Sequence, residues 1–69
     1  MVDANKLRGK IVEKGLSQRD VAQILGMSDA TFYRKMKERK FDSSEISKMI
    51  VALDIENPME IFFAEFVAL

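Results

Sequence analysis

Apolar residues recur along this chain at helical spacing, and each stretch is bracketed by residues that start or stop helices. Leu7 and Ile11 stand one turn apart, predicting a first helix from about Ala4 to Lys14, with Gly15 placed to end it. Gly9 inside that helix costs roughly 1 kcal/mol against alanine unless a neighbouring helix packs close to it. A second helix starts at Ser17, whose hydroxyl can take the amide of Asp20, with Leu16 and Val21 spaced as a hydrophobic staple. It is expected to carry Val21, Ile24 and Leu25 inward and to end at Gly26. Ser28 caps the third helix, which buries Phe32 and Met36, while Met27 and Phe32 form a second staple.

The fourth helix opens at Asp42 with Glu45 completing a capping box and Phe41 stapled to Ile46. Its stripe of Ile46, Met49, Ile50 and Leu53 has the i, i+3, i+4, i+7 spacing of a core-facing helix. Asn57, Pro58 and Glu60 announce a fifth helix. No segment alternates at period two, and no repeat or linker interrupts the chain. The pattern predicts one all-α domain over residues 1–69, a compact five-helix bundle.

Charge sharpens this picture. The formal net charge of the 69 residues is zero, but ten of the eleven basic side chains lie in residues 1–40 with five acids, a net +5. Residues 41–69 hold Lys48 against six acids, a net −5. The run from Arg34 to Lys40 is the most basic stretch, which suits a face turned toward a polyanion. Without cysteine or histidine there is no disulfide, no thiolate site, no imidazole ligand and no near-neutral proton shuttle. The acids of the last two helices are spaced as caps and a solvated face, so neither catalysis nor a metal or other cofactor is expected. No apolar run approaches the ~20 residues of a membrane span, and no secretory signal is seen at the start, so a cytoplasmic protein is expected.

The stretch from Gln18 to Lys37 meets the demands of a helix-turn-helix. Ala22 is small where two helices approach, Gly26 permits a positive φ in the turn, Met27 plugs the corner, and Ser28 restarts the chain as helix. These twenty residues resemble the helix-turn-helix of the Cro and CI repressor family of phages and their bacterial relatives. The similarity extends through Phe41–Ile46, Leu53–Ile55 and Pro58–Phe63, and covers about Leu7 to Phe66. It implies a lambda-repressor-like DNA-binding bundle in which helices two and three form the motif. It also implies sequence-specific duplex binding, usually as a dimer on a palindromic operator. Being one short domain, the chain is closer to Cro.

On matching positions, Asp29, Ala30 and Arg34 are the base-facing set at the start of the third helix. Helix geometry agrees that Ala30, Arg34 and Lys37 point away from Phe32 and Met36. Arg34 is the strongest candidate, since a guanidinium can bond guanine O6 and N7 together; the other role open to it is a phosphate or solvent contact. Asp29 departs from the family's frequent neutral polar residue. It can accept from cytosine N4 or simply suit the positive end of the helix dipole, and the second role is favoured. Ala30 either touches a thymine methyl or keeps the helix slim. Ser28, Thr31 and Tyr33 offer hydroxyls to phosphates or base edges, although Tyr33 can instead cover the core. Gln18 matches a phosphate-holding position but is also a generic polar residue after a cap. Lys35, Lys37, Arg39 and Lys40 are expected to neutralise phosphates.

Two functions from different classes remain. One is an operator-binding regulator; the alternative is an antirepressor or modulator that binds a partner repressor protein. Self-association is expected through the C-terminal stretch, where Phe62, Phe63, Phe66, Val67 and Leu69 crowd with Ile61 into nine residues. On one continuous helix Phe62, Phe66 and Leu69 share a stripe, and a small bundle cannot cover that whole arc.

Overall fold

A computed structural model describes residues 1–67 and holds five α-helices and no strand among them. They are α1 (Ala4–Glu13), α2 (Gln18–Leu25), α3 (Asp29–Glu38), α4 (Ser43–Ala52) and α5 (Pro58–Phe62), followed by a 3-10 turn at Ala64–Phe66. Four of the five helices start on a side-chain cap. The Asp3 carboxylate accepts from the Lys6 amide, Ser28 Oγ from the Thr31 amide, and Ser17–Asp20 and Asp42–Glu45 form reciprocal capping boxes. The fifth, α5, has Pro58 in its first turn, but Asn57 makes no side-chain cap bond.

Four helix ends share one device. A left-handed residue follows the helix, and an amide bonds a carbonyl five residues back: Leu16 to Ile11, Met27 to Ala22, Lys40 to Lys35 and Ile55 to Ile50. At α1 and α2 the left-handed residue is Gly15 or Gly26, at φ 72° and 73°. At α3 and α4 it is Arg39 or Asp54, at φ 59° and 50°, which side chains other than glycine's adopt with strain.

The core gathers Leu7 and Ile11 of α1, Val21, Ala22 and Leu25 of α2, and Phe32 and Met36 of α3. Val2, Ala4, Met49, Leu53, Ile55, Ile61 and Phe62 complete it, with Leu16, Met27, Phe41, Ile46 and Ile50 partly covered around it. The Phe32 and Phe41 rings lie 5.7 Å apart, so the loop after α3 is anchored under α3's own buried side. The segment before α1 crosses between the end of α3 and α5: Val2 donates to the Arg39 carbonyl at 3.2 Å and Asp3 to the Ile61 carbonyl at 2.7 Å.

Gly9 has open space where a Cβ would stand, so no helix packs close enough to offset its cost. Three expectations need correction. Ile24 is 44% exposed, because α3 and α4 cover the Val21–Leu25 side of α2 and leave the edge of its apolar arc uncovered. The C-terminal stretch is not one helix, since Phe63 leaves helical geometry at φ −134°, ψ 45°, and ends α5 after five residues. With the helix broken, the predicted stripe does not form: Phe62 is buried at 2% exposure and belongs to the core, not to an interface. Phe63, Phe66 and Val67 are exposed, and Leu69 lies outside the described residues.

Candidate nucleic-acid interface

The positions of the α3 side chains follow from its anchorage. Phe32 and Met36 sink into the core, so residues half a turn away must face solvent. Ala30, Arg34 and Lys37 are accordingly exposed, and Tyr33 on the flank is 52% exposed, so it does not cover the core. The turn fixes how α3 sits against α2. Ala22 is fully buried at the approach, and Gly26 reverses the chain at φ 73°, a left-handed conformation that residues with a β-carbon adopt only with strain.

Several candidate side chains already have partners. The Ser28 hydroxyl donates to Thr31 Oγ1 at 2.9 Å and accepts from the Thr31 amide, so both hydroxyls serve the helix start. Asp29 Oδ2 accepts from Arg19 Nε at 2.9 Å, joining the first turns of α2 and α3. Arg34 donates to Glu38 Oε1 at 2.9 Å, one turn along the same helix. Lys35 is not on the outward face. It lies on the α4 side, where its ammonium donates to Glu45 Oε2 at 2.6 Å with both side chains mostly covered. The other Glu45 oxygen accepts from the Asp42 amide, so one carboxylate starts α4 and ties it to α3. The expectation that Lys35 neutralises phosphates is corrected by this placement.

Lys37 and Arg39 lie instead on a shallow cleft of about 410 Å³ between the starts of α1 and α2 and the second half of α3. Arg8, Gln18 and Tyr33 line it with them over Ala4 and Met36, and no carboxylate is among the lining residues. Arg8 is held from below by Asn5, whose Oδ1 accepts from Nη2 at 2.7 Å. Lys40 is exposed one residue beyond and lines a second cavity of about 380 Å³ together with Phe41, Ile46 and Phe62. The arrangement concentrates cations and hydroxyls on one side of the domain and pairs the two acids of α3, Asp29 and Glu38, with arginines. Chemically it suits a polyanion.

Arg8 and Arg19 are members of this face that sequence reasoning missed. Neither belongs to a local signature: Arg8 reaches the cleft from α1, and Arg19 meets Asp29, ten positions on, only because the turn folds the chain back. Among the described residues no group of three or more acidic, histidine or cysteine side chains stands ready to hold a metal ion. No helix among them is long and apolar enough to cross a membrane.

Fold and face together define a small all-helical domain with a cationic side built on α1, α2 and α3. The chain belongs to the family described as "Protein of unknown function (DUF739)", whose model matches residues 1–65. No curated protein and no solved structure matches it.

Proposed function

We propose that this protein is a sequence-specific DNA-binding transcriptional regulator of the Cro/CI phage or prophage type. In this reading α2, the Gly26 turn and α3 form a helix-turn-helix, and α3 enters the major groove of an operator in the cytoplasm. The observation that carries the reading is the face of α3. Its exposed stripe of Ala30, Arg34 and Lys37 adjoins a carboxylate-free cleft lined by Arg8, Gln18, Tyr33 and Arg39. Base reading then falls to Arg34, with Ala30 beside it. Phosphates fall to Gln18, Tyr33, Lys37, Arg39 and Lys40.

Arg34 is held by Glu38 in the free protein, and the magnitudes favour its release. An exposed i, i+4 pair contributes about 0.3–0.5 kcal/mol, whereas a bidentate contact to guanine discriminates by about 1–3 kcal/mol. DNase footprinting on DNA flanking the protein's own gene tests the function. Protection of an inverted repeat is expected, and no protection at micromolar protein overturns it.

A homodimer fits the same reading, with two copies of α3 about 34 Å apart meeting successive major grooves. Its candidate contact is now narrower: Phe63, Phe66 and Val67, exposed by 38%, 68% and 44%. Exposed aromatics this close together favour a protein contact, and they also keep the second reading, an antirepressor that docks on a partner repressor. Sedimentation of the wild type beside Phe66→Glu separates the two. Loss of a wild-type dimer in the variant supports self-association, and a wild type that is monomeric even on operator DNA refutes it.

A further inference from the structure

Arg19 is the second residue of α2, and its side chain is 72% exposed. Its Nε donates to Asp29 Oδ2 at 2.9 Å, and among the described residues no other acceptor bonds the guanidinium. Both Nη groups are therefore free to bond something outside the domain. An isolated exposed ion pair adds little to stability, so the fold has small need of this one. What the bond does is fix the plane of a planar five-donor fork while using one donor. A long side chain held in advance loses less freedom when it grips a ligand than one that must be ordered on contact. The fork lies at the first turn of α3, held against Asp29.

We propose that Asp29 is a positioning residue that aims the Arg19 fork at a phosphodiester oxygen of bound DNA, so that an acid on the DNA face strengthens binding. This rests on the reading of α3 as the groove-entering helix. Simple charge counting predicts the reverse, because a carboxylate beside a polyanion repels it. The two accounts differ in sign, which makes them separable.

The experiment measures dissociation constants by fluorescence anisotropy on a labelled duplex from the flank of the protein's own gene. Full-length wild type is compared over a range of salt with Arg19→Ala, Asp29→Asn and the double variant, each corrected for its folded fraction by thermal unfolding. Arg19→Ala is expected to weaken binding roughly tenfold, the scale of one charge-assisted contact, and to lower the salt slope by about one. Asp29→Asn is expected to weaken binding several-fold although it removes a negative charge. In the Arg19→Ala background the same Asp29→Asn change is expected to tighten binding, since only repulsion is then left to remove. Asp29→Asn that tightens or leaves affinity unchanged while Arg19 is present overturns the proposal, as does Arg19→Ala with unaltered affinity and slope. A wild type without DNA affinity overturns the regulator reading and this inference together. A wild type that binds DNA with a tighter Asp29→Asn variant overturns the positioning role alone.

Discussion

Replacing Gly9 by alanine tests whether α1 is as open as it looks. Gly9 sits in the middle of α1, its φ is not positive, and a Cβ built on it meets no atom within 4 Å. The substitution therefore adds no contact and no clash, and only helix propensity is left to decide the sign. Glycine is about 0.8–1.0 kcal/mol less favourable than alanine in a helix interior, because it loses more backbone freedom on folding. Gly9→Ala is thus expected to stabilise the domain by about 1 kcal/mol. For 60–100 residues that corresponds to a rise of roughly 4–8 °C in Tm, a large step for a small domain whose total stability is of the order of 5 kcal/mol. Far-UV circular dichroism during heating, together with urea unfolding, reads both quantities. A Tm unchanged or lowered, at an unchanged urea slope, would refute the reasoning and place an unseen neighbour against α1. A dimer contact there would reveal itself as stabilisation that vanishes as protein concentration rises.

Glu38→Gln frees Arg34 and removes a negative charge, so DNA affinity should rise a few-fold at low salt and the gain should fade at high salt, as anisotropy titrations will register. Arg34→Ala should cost about 1–3 kcal/mol on the preferred site and loosen one base-pair position in a binding-site selection; uniformly weaker binding with an intact consensus reassigns Arg34 to phosphates. The Ser17 amide and hydroxyl hold the Asp20 carboxyl below its ordinary range. Its stabilising effect is therefore complete above about pH 4 and lost as pH falls through the lowered folded value. Asp20→Asn should be less stable than wild type at pH 7 and should lose less stability between pH 4 and 2, as urea titrations across that range will reveal. Phe62→Ala should cost about 3–5 kcal/mol, enough to unfold much of the protein, whereas Phe66→Glu should leave the monomer fold intact by circular dichroism.

Local chemistry made most of the helices legible. Caps act within three or four residues, so Ser17, Ser28 and Asp42 announced three helix starts from sequence alone, and the glycines at 15 and 26 announced two ends. What escaped was set by partners distant along the chain. Which edge of α2's apolar arc is covered depends on where α3 and α4 lie, and that left Ile24 exposed. The end of α5 at Phe63 carries neither glycine nor proline to signal it, and its Asn57 does not make the cap bond its residue type suggests. On the cationic face, the exposure of Ala30, Arg34 and Lys37 was readable from helix period. The Arg19–Asp29 and Lys35–Glu45 bonds each join positions ten apart across a turn, where no periodic pattern reaches.

Arg39 closes α3 in a conformation that glycine adopts freely and arginine adopts at a cost of about 1 kcal/mol. Its amide-side geometry asks for glycine, while its side chain supplies a cation to the cleft. The position is thus pulled in two directions, and laboratory evolution would show which demand is stronger. Populations selected for heat resistance alone should accumulate Arg39→Gly or Arg39→Asn and lose grip on polyanions as they do so. Populations selected for binding should keep the arginine and recover stability elsewhere, with Gly9 as one site at which to find it.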